Sequence, residues 1–149
     1  MKHLTLLALL ASTSLVHAAG TQAVTVRMSE MMFMPMNLSL KAGQKVTITL
    51  KNTGKADHEF QLYAKPKVLP RGENAWDAYM EKNSIWLASR DTSLKIAGKA
   101  VTGKFIEVAL KPGQSATLSF TPAKTGTFEM ACHEPGHYEG GMKGTVTVK

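Results

Sequence analysis

The sequence predicts an all-β sandwich of a single domain, with short alternating segments and frequent turn signals as the main evidence. Apolar and polar side chains alternate along segments such as 23–28 and 45–51, which is the pattern of strands with one buried face. Roughly seven short strands at this spacing are typical of an antiparallel sandwich. The chain of 149 residues is long enough for one sizeable core.

The predicted strands follow one another with turns between them. In chain order they lie at residues 23–28, 37–41, 45–51, 104–110, 115–120, 127–131 and 144–148. Turn signals separate them, for example Asn52-Thr53-Gly54 and Lys111-Pro112-Gly113-Gln114. A further apolar run at 60–63 begins just after His58, so His58 is expected at the start of a strand.

One excursion between strands departs from this pattern. Asn74 is a residue type that caps helices, and apolar residues then recur at helical spacing. Those residues are Trp76, Tyr79 and Met80. We expect a short helix at about 73–83 that packs its aromatic side chains onto the sandwich. Trp76 and Trp86 are expected to be packing residues rather than cofactor contacts.

The first 19 residues have the pattern of a leader for export. A basic start precedes an apolar stretch from Leu4 to Val16, and small residues follow. We predict cleavage after Ala18 or Ala19, which leaves residues 20–149 as a single domain in the periplasm. A retained membrane anchor is the alternative, although the stretch is shorter than the roughly 20 residues that span a bilayer. No span is expected after cleavage.

The charge balance gives little support for nucleic-acid binding. The whole chain has a formal charge of +7, with 18 basic and 11 acidic residues. The basic residues are scattered singly and lack the aromatic interleaving of single-strand binders. We expect a solvated basic surface on a monomer, which could also steer the protein towards an acidic redox partner.

A single cysteine lies in a short loop with other soft ligands. Cys132 is followed by His137 and Met142 at equal gaps. Thiolate and thioether ligands favour Cu(I), whereas imidazole also suits Cu(II), so this set indicates copper. A lone thiol in an oxidising compartment is open to oxidation, and metal ligation would protect it. A buried structural cysteine is the alternative.

A blue-copper site needs a second histidine, and few histidines in the sequence are available for this role. The sequence has five histidines, of which His3 and His17 belong to the predicted leader. His133 and His137 lie in the Cys132 loop, so His58 is left as the upstream candidate.

With these residues in place, the mature chain resembles a cupredoxin, a small blue-copper protein, over essentially its whole length. The resemblance rests on His58 in a His-Glu-Phe run and on the Phe-x₃-Cys-x₄-His-x₄-Met loop that ends at Met142. The even gaps are similar to those of rusticyanins and auracyanins. The resemblance implies a Greek-key sandwich with one copper ion at one end. It further implies a trigonal plane of His58, Cys132 and His137 with Met142 as the axial contact.

The resemblance also implies a function, a one-electron carrier between redox partners. His137 would present its ring edge to solvent, and a cytochrome or copper oxidase would dock on the small or apolar residues around it. These residues are Pro135, Gly136, Tyr138, Gly140 and Gly141. Backbone donors near His58 are expected to donate hydrogen bonds to the Cys132 sulfur. The alternative is a copper-binding protein of the same fold that serves in resistance, sequestration or delivery.

His133 raises the question of an enzyme. Its place beside Cys132 resembles the closing motif of multicopper oxidases, but three mature histidines cannot supply both copper centres. A Cys/His hydrolase lacks an evident orienting group, and zinc seldom uses methionine. No enzyme is therefore expected. His133 is expected to be exposed beside the site or hydrogen-bonded to a neighbouring loop.

A second cluster is rich in methionine. Its members are Met28, Met31, Met32, Met34 and Met36. Methionine is a flexible filler of cores, and the last three fall on one face of an extended segment, so core packing is the favoured interpretation. The alternative is a secondary Cu(I) site made of thioethers.

Overall fold

A computed structural model describes residues 20–149, which form two packed β-sheets with one helix beside them. The predicted leader at 1–19 lies outside the described residues. The strands are β1 Gln22–Ser29, β2 Met32–Met34, β3 Asn37–Leu40, β4 Val46–Asn52, β5 His58–Ala64, β6 Ser93–Ile96, β7 Lys99–Val101, β8 Val108–Leu110, β9 Ser115–Phe120, β10 Gly126–Ala131 and β11 Lys143–Val148. Helix α1 covers Glu73–Asn83, and a 3₁₀ helix covers Trp86–Ala88. The predicted sandwich and short helix are confirmed.

The two sheets are mixed rather than purely antiparallel. One sheet has the order β2-β1-β4-β9-β6-β7 and the other the order β3-β11-β10-β5-β8. β1 pairs with β4 in parallel, and β3 pairs with β11 in parallel. The expectation of an antiparallel sandwich is therefore wrong for these two pairs. After β2 the chain crosses to the other sheet as β3 and then returns as β4, and side-chain alternation carries no information on strand direction.

Local differences from the predicted elements have identifiable causes. The strand predicted at 104–110 is shortened to β8. The carbonyl of Phe105 accepts a hydrogen bond from Trp86 Nε1 at 2.9 Å instead of pairing with a neighbouring strand. Asn74 does not cap the helix, which begins after Gly72 and has no side-chain cap. The short strands β2, β6 and β7 were not predicted, since three or four residues are too few to show a clear period.

Aromatic side chains fill the space between the sheets. Phe60 packs against Trp86 with ring centroids 6.3 Å apart and meets Phe33 at 5.9 Å. These three side chains are at most 1% exposed, so the packing role predicted for Trp86 is confirmed. A second cluster under α1 contains Tyr63, whose ring lies 5.7 Å from that of the half-buried Trp76. The helix is thereby held beside the loop that follows β10.

Candidate metal centre

The loop before β5 places His58 at one end of the sandwich. The side chain of Asn52 donates hydrogen bonds to the carbonyls of Ala56 and Leu110, each at 2.8 Å. Its Oδ1 accepts a hydrogen bond from the N–H of Gly54 at 2.9 Å. These contacts fix the turn that the sequence indicated at Asn52. His58 then pairs with Leu110 across β5 and β8, and its side chain is fully buried.

Backbone hydrogen bonds fold the Cys132 loop back on itself. The N–H of Cys132 donates to the carbonyl of Met142 at 3.1 Å, and the N–H of Met142 donates to the carbonyl of His137 at 2.9 Å. A turn inside the loop is closed by the N–H of His137, which donates to the carbonyl of Glu134 at 2.9 Å. Cys132 and Met142 are fully buried, and His137 is half-buried.

The structure brings three of the predicted ligand atoms together. His137 Nδ1 lies 3.3 Å from His58 Nδ1 and 3.3 Å from Cys132 Sγ. All three donor atoms lie within 4.8 Å of one another, and no other group of three His, Cys, Asp or Glu residues within 20–149 does so. Two imidazole nitrogens at this distance repel through their lone pairs unless a proton or a cation lies between them. Met142 is joined to the same loop through its backbone contact with Cys132.

The sulfur of Cys132 lies in a setting that suits a metal-bound thiolate. It accepts hydrogen bonds from the backbone N–H of Glu59, at 3.3 Å, and from that of Glu134. The prediction of backbone donors near His58 is confirmed. Burial nevertheless raises the pKa of the Cys132 thiol to about 11, so the free thiol is neutral at physiological pH. A bound cation would offset this cost, because the coordinated thiolate is the deprotonated form.

This donor set fits a single copper ion. The site combines the buried sulfur of Cys132 with two imidazole nitrogens, and the buried thioether of Met142 lies in the same loop as Cys132. Among first-row metals, copper is the one that prefers such a set of soft and intermediate ligands. Zinc sites rarely include a thioether. The cluster is preformed, since its positions depend on the sheet and on backbone hydrogen bonds rather than on a metal.

The other ring nitrogen of His58 faces Glu30, a residue that no sequence pattern marked as part of a metal site. His58 Nε2 is buried and has no hydrogen-bond partner among the described residues, and Glu30 Oε1 lies 3.9 Å away. The backbone N–H groups of Lys55 and then Ala56 hold the pKa of Glu30 down to about 2, so its carboxylate is ionised. Burial lowers the pKa of His58, and the neighbouring His137 lowers it further.

His133 is half-buried and packs against neighbouring aromatic side chains instead of extending into solvent. Its Nε2 shares a hydrogen bond with the hydroxyl of Tyr63 at 2.8 Å. Its ring stacks on Tyr138 with centroids 4.8 Å apart and lies 4.0 Å from Trp76. Burial lowers the pKa of His133 to about 4, so the ring is neutral. Of the two predicted positions the exposed one is wrong, and the hydrogen-bond partner is on strand β5 rather than on a loop.

The surface around His137 differs from the predicted patch at one residue. Pro135, Gly136 and Gly140 are exposed, and Gly141 is half-buried. Tyr138 is only 7% exposed, because it packs against His133, and its hydroxyl donates to a Glu129 oxygen at 3.0 Å. It was therefore wrongly assigned to the surface.

The methionine segment is divided between core and surface. Met28 is fully buried, so core packing is confirmed for this residue. The other four have exposed fractions of 41 to 51%, and for them the core interpretation is wrong: Met31, Met32, Met34 and Met36. Phe33 takes the inward position of β2 instead. The Met31 sulfur lies against the Cys132 loop, since a Cβ added to Gly140 would be 2.8 Å from this sulfur.

Within residues 20–149 no helix has both the length and the apolar character needed to cross a membrane. The α1 helix is 11 residues long and carries charged side chains along its length.

Comparison with known proteins identifies relatives over most of the chain. A family model described as "Cupredoxin-like domain" matches residues 2–75. The copper-resistant cuproprotein CopI of Pseudomonas aeruginosa is 32% identical over 89% of this chain and 78% of its own length. The protein of the same name from Rubrivivax gelatinosus is 28% identical over 89% of this chain and 69% of its own length.

A solved structure has the same fold. The dithionite-reduced auracyanin of Roseiflexus castenholzii superposes with a TM-score of 0.56 and 26% identity, over 86% of this chain and 97% of its own.

Proposed function

Because the chain belongs to the cupredoxin family, we propose that it is a type 1 copper protein that serves in copper tolerance. The observation that carries the copper site is the triangle of His58 Nδ1, Cys132 Sγ and His137 Nδ1 within 4.8 Å. Met142 would be the weak fourth ligand. Copper held there supplies a one-electron couple, since the ligands suit both Cu(I) and Cu(II).

The chain's own residues prepare the site in this proposal. Two backbone N–H groups, from Glu59 and Glu134, stabilise negative charge on Cys132 Sγ. Burial of His58 and Cys132 excludes water, and the hydrogen-bonded loop holds His137 in place without the metal. A site of this kind changes little in geometry between the two oxidation states, which favours fast electron exchange.

Two observations support copper tolerance as the role. The relatives that match across most of the chain bear the name copper-resistant cuproprotein. In addition, the segment at 31–36 carries four exposed thioethers, and the Met31 sulfur lies against the Cys132 loop at Gly140. In this proposal the segment captures Cu(I) before the ion reaches the buried site, because thioethers bind Cu(I) well. The leader at 1–19 would place the protein in the periplasm.

A one-electron carrier is the second candidate. The half-buried His137 is flanked by exposed Pro135 and Gly136, which would let a redox protein approach its ring edge. The auracyanin structure similar to this chain was obtained after reduction by dithionite. Neither candidate gives the chain a catalysed reaction.

Growth under copper stress tests the tolerance role. A strain that lacks the protein should grow poorly in copper, wild-type protein should restore growth, and Cys132→Ala should not. Replacement of Met31, Met32, Met34 and Met36 by leucine should give partial rescue with an unchanged visible spectrum. If the strain tolerates copper normally while purified protein exchanges electrons rapidly with a cytochrome in stopped flow, the carrier role is correct instead.

Metal titration separates the two copper positions. Cys132→Ala should retain weak Cu(I) binding at the methionine segment, and the additional loss of the four exposed methionines should abolish it. An absence of residual Cu(I) binding in Cys132→Ala would dismiss the methionine site but leave the buried site untouched.

A further inference from the structure

The imidazole of His58 has two ring nitrogens in different surroundings. Its Nδ1 belongs to the ligand triangle with Cys132 and His137. Its Nε2 is buried and has no hydrogen-bond partner among residues 20–149. A neutral imidazole carries one N–H, so a ring whose Nδ1 is free to bind a metal holds its proton on Nε2. A buried donor without an acceptor costs free energy, and an acceptor beside Nε2 would remove that cost.

Glu30 is the carboxylate beside this nitrogen. Its Oε1 lies 3.9 Å from His58 Nε2, and the side chain is 49% exposed. The backbone N–H groups of Lys55 and Ala56 donate hydrogen bonds to the same oxygen, that of Ala56 at 3.0 Å. Because the carboxylate is partly in contact with solvent, it keeps its charge without the cost of full burial. An anchored negative charge therefore faces the buried edge of the His58 ring.

The loop before β5 is shaped so that the carboxylate can reach the ring. A Cβ added to Gly54 would lie 2.7 Å from Glu30 Oε1 and 2.9 Å from His58 Nε2, so both atoms border the space that a side chain there would fill. The N–H of Thr53 donates to the carbonyl of Met28 at 2.8 Å and ties this loop to the end of β1. Since Glu30 directly follows β1, the strand and the loop together hold its carboxylate beside the ring.

We infer that Glu30 is a positioning residue for the candidate copper ligand His58 and that its carboxylate accepts the Nε2–H of that ring. A charge-assisted N–H···O hydrogen bond is about 2.7–2.9 Å long, so the oxygen and the nitrogen have to approach each other by about 1 Å. Small changes in the torsion angles of the exposed Glu30 side chain cover this distance within one rotamer well. The inference rests on the proposed copper function for its effect on the metal, but the hydrogen bond itself does not require a metal.

Such a hydrogen bond would prepare the ring for copper in two ways. It fixes the tautomer and the orientation of the ring, because a proton held on Nε2 leaves the lone pair of Nδ1 free. It also places a negative charge on the far side of the imidazole from the ion. This charge attracts Cu(II) more strongly than Cu(I), so Glu30 should lower the reduction potential.

Nitrogen NMR of the metal-free protein tests the hydrogen bond. With isotope-labelled histidine, long-range proton–nitrogen correlations show which ring nitrogen holds the proton. His58 of the wild-type apoprotein should be the neutral Nε2–H tautomer. In Glu30→Gln a neutral amide replaces the carboxylate. The Nε2–H should then exchange with solvent about tenfold faster, since a hydrogen bond to a charged group is roughly twice as strong as a neutral one.

The reduction potential tests the effect on copper. Glu30→Gln should weaken Cu(II) binding about tenfold more than Cu(I) binding, which raises the potential by about 59 mV in spectroelectrochemistry. The matched control is Asp57→Asn, which removes an exposed carboxylate next to His58 in sequence and leaves Glu30 in place. This control should raise the potential by less than about half as much, because solvent screens an exposed charge.

Two results would overturn the inference. One is a wild-type apoprotein in which His58 carries its proton on Nδ1, and this measurement needs no variant to fold. The other is a folded Glu30→Gln protein whose exchange rate and potential equal those of Asp57→Asn, since a merely structural Glu30 would change stability alone. Far-UV circular dichroism establishes that each variant is folded. If the chain binds no copper, the apoprotein measurement still decides, so failure of the copper proposal is distinguishable from failure of this one.

Discussion

The backbone N–H of Glu59 donates a hydrogen bond to Cys132 Sγ over 3.3 Å, which joins the start of β5 to the end of β10. The two strands pair in antiparallel register with Ala131 opposite Gln61, so Cys132 follows opposite Phe60, one residue from Glu59. His58 precedes Glu59 in the same strand. The register of β5 against β10 therefore sets the positions of His58 and Cys132 relative to each other, and the site is preorganised before any metal binds.

Replacement of the axial candidate should tune the site without removing it. Met142→Leu keeps the buried volume nearly constant but removes the thioether, so oxidised copper loses a donor. We expect the visible absorption to persist and the reduction potential to rise by tens of millivolts, where roughly 59 mV is a tenfold change for one electron. Spectroelectrochemistry measures both. A colourless Met142→Leu protein with normal copper content would contradict the axial role.

The ligand candidates could be found from the sequence because their chemistry is unusual and their number is small. One cysteine and five histidines left few combinations, and strand alternation placed His58 at a strand start. The position of His133 could not be found in this way. It depends on Tyr63, 70 residues away in sequence, whose hydroxyl reaches His133 only through the pairing of β5 with β10.

The methionine segment shows a different limit of sequence reasoning. Apolar character suggested burial for Met32 and Met34, yet β2 is an edge strand whose outer face has no covering element among the described residues. Alternation correctly put Met32 and Met34 on one face and Phe33 on the other. Which face is buried depends on packing against Phe60, a contact that the local sequence does not reveal.

Gly54 should tolerate no side chain. A Cβ there would lie 2.7 Å from Glu30 Oε1 and 2.9 Å from His58 Nε2, so Gly54→Ala must displace one of them. We expect a loss of about 1–3 kcal/mol in the free energy of unfolding of the apoprotein, together with weaker copper binding. Urea denaturation and competition with a copper chelator measure the two effects. Gly20→Ala is the control, since its Cβ meets no atom within 4 Å, and equal effects of both changes would refute the steric argument.

The two tyrosines that bind Glu129 should differ in their contribution to stability. The hydroxyl of Tyr63 contacts both Glu129, at 3.2 Å, and His133, at 2.8 Å, whereas that of Tyr138 contacts Glu129 alone at 3.0 Å. Tyr63→Phe leaves a buried imidazole nitrogen unpaired and should cost about 1–3 kcal/mol. Tyr138→Phe should cost less, because Tyr63 still donates to Glu129. Urea unfolding of the two apoproteins measures both losses in the free energy of unfolding, and a larger loss for Tyr138→Phe would contradict this ranking.

Asp91 should stabilise the fold in a manner that depends on pH. Its carboxylate accepts hydrogen bonds from the hydroxyl of Ser89 and from the N–H and hydroxyl of Thr121, at 3.0 and 2.9 Å, and lies 3.4 Å from Lys45 Nζ. The Ser89 hydroxyl, followed by the Thr121 hydroxyl and Lys45, holds the pKa of Asp91 down to about 2.

The sign of the pH effect follows from that depressed pKa. A carboxylate with a lower pKa in the folded state adds stability above its unfolded pKa of roughly 3.9 and loses this contribution as the pH falls towards 2. Asp91→Asn should therefore be less stable than wild type at pH 7, by about 1 kcal/mol because the side chain is 39% exposed and solvent screens it. The difference should shrink between about pH 4 and pH 2 in urea unfolding of the apoprotein. Glu81→Gln, whose carboxylate is 55% exposed, should show less than half of this loss at pH 7, and a difference for Asp91→Asn that stays constant with pH would contradict the ionic origin.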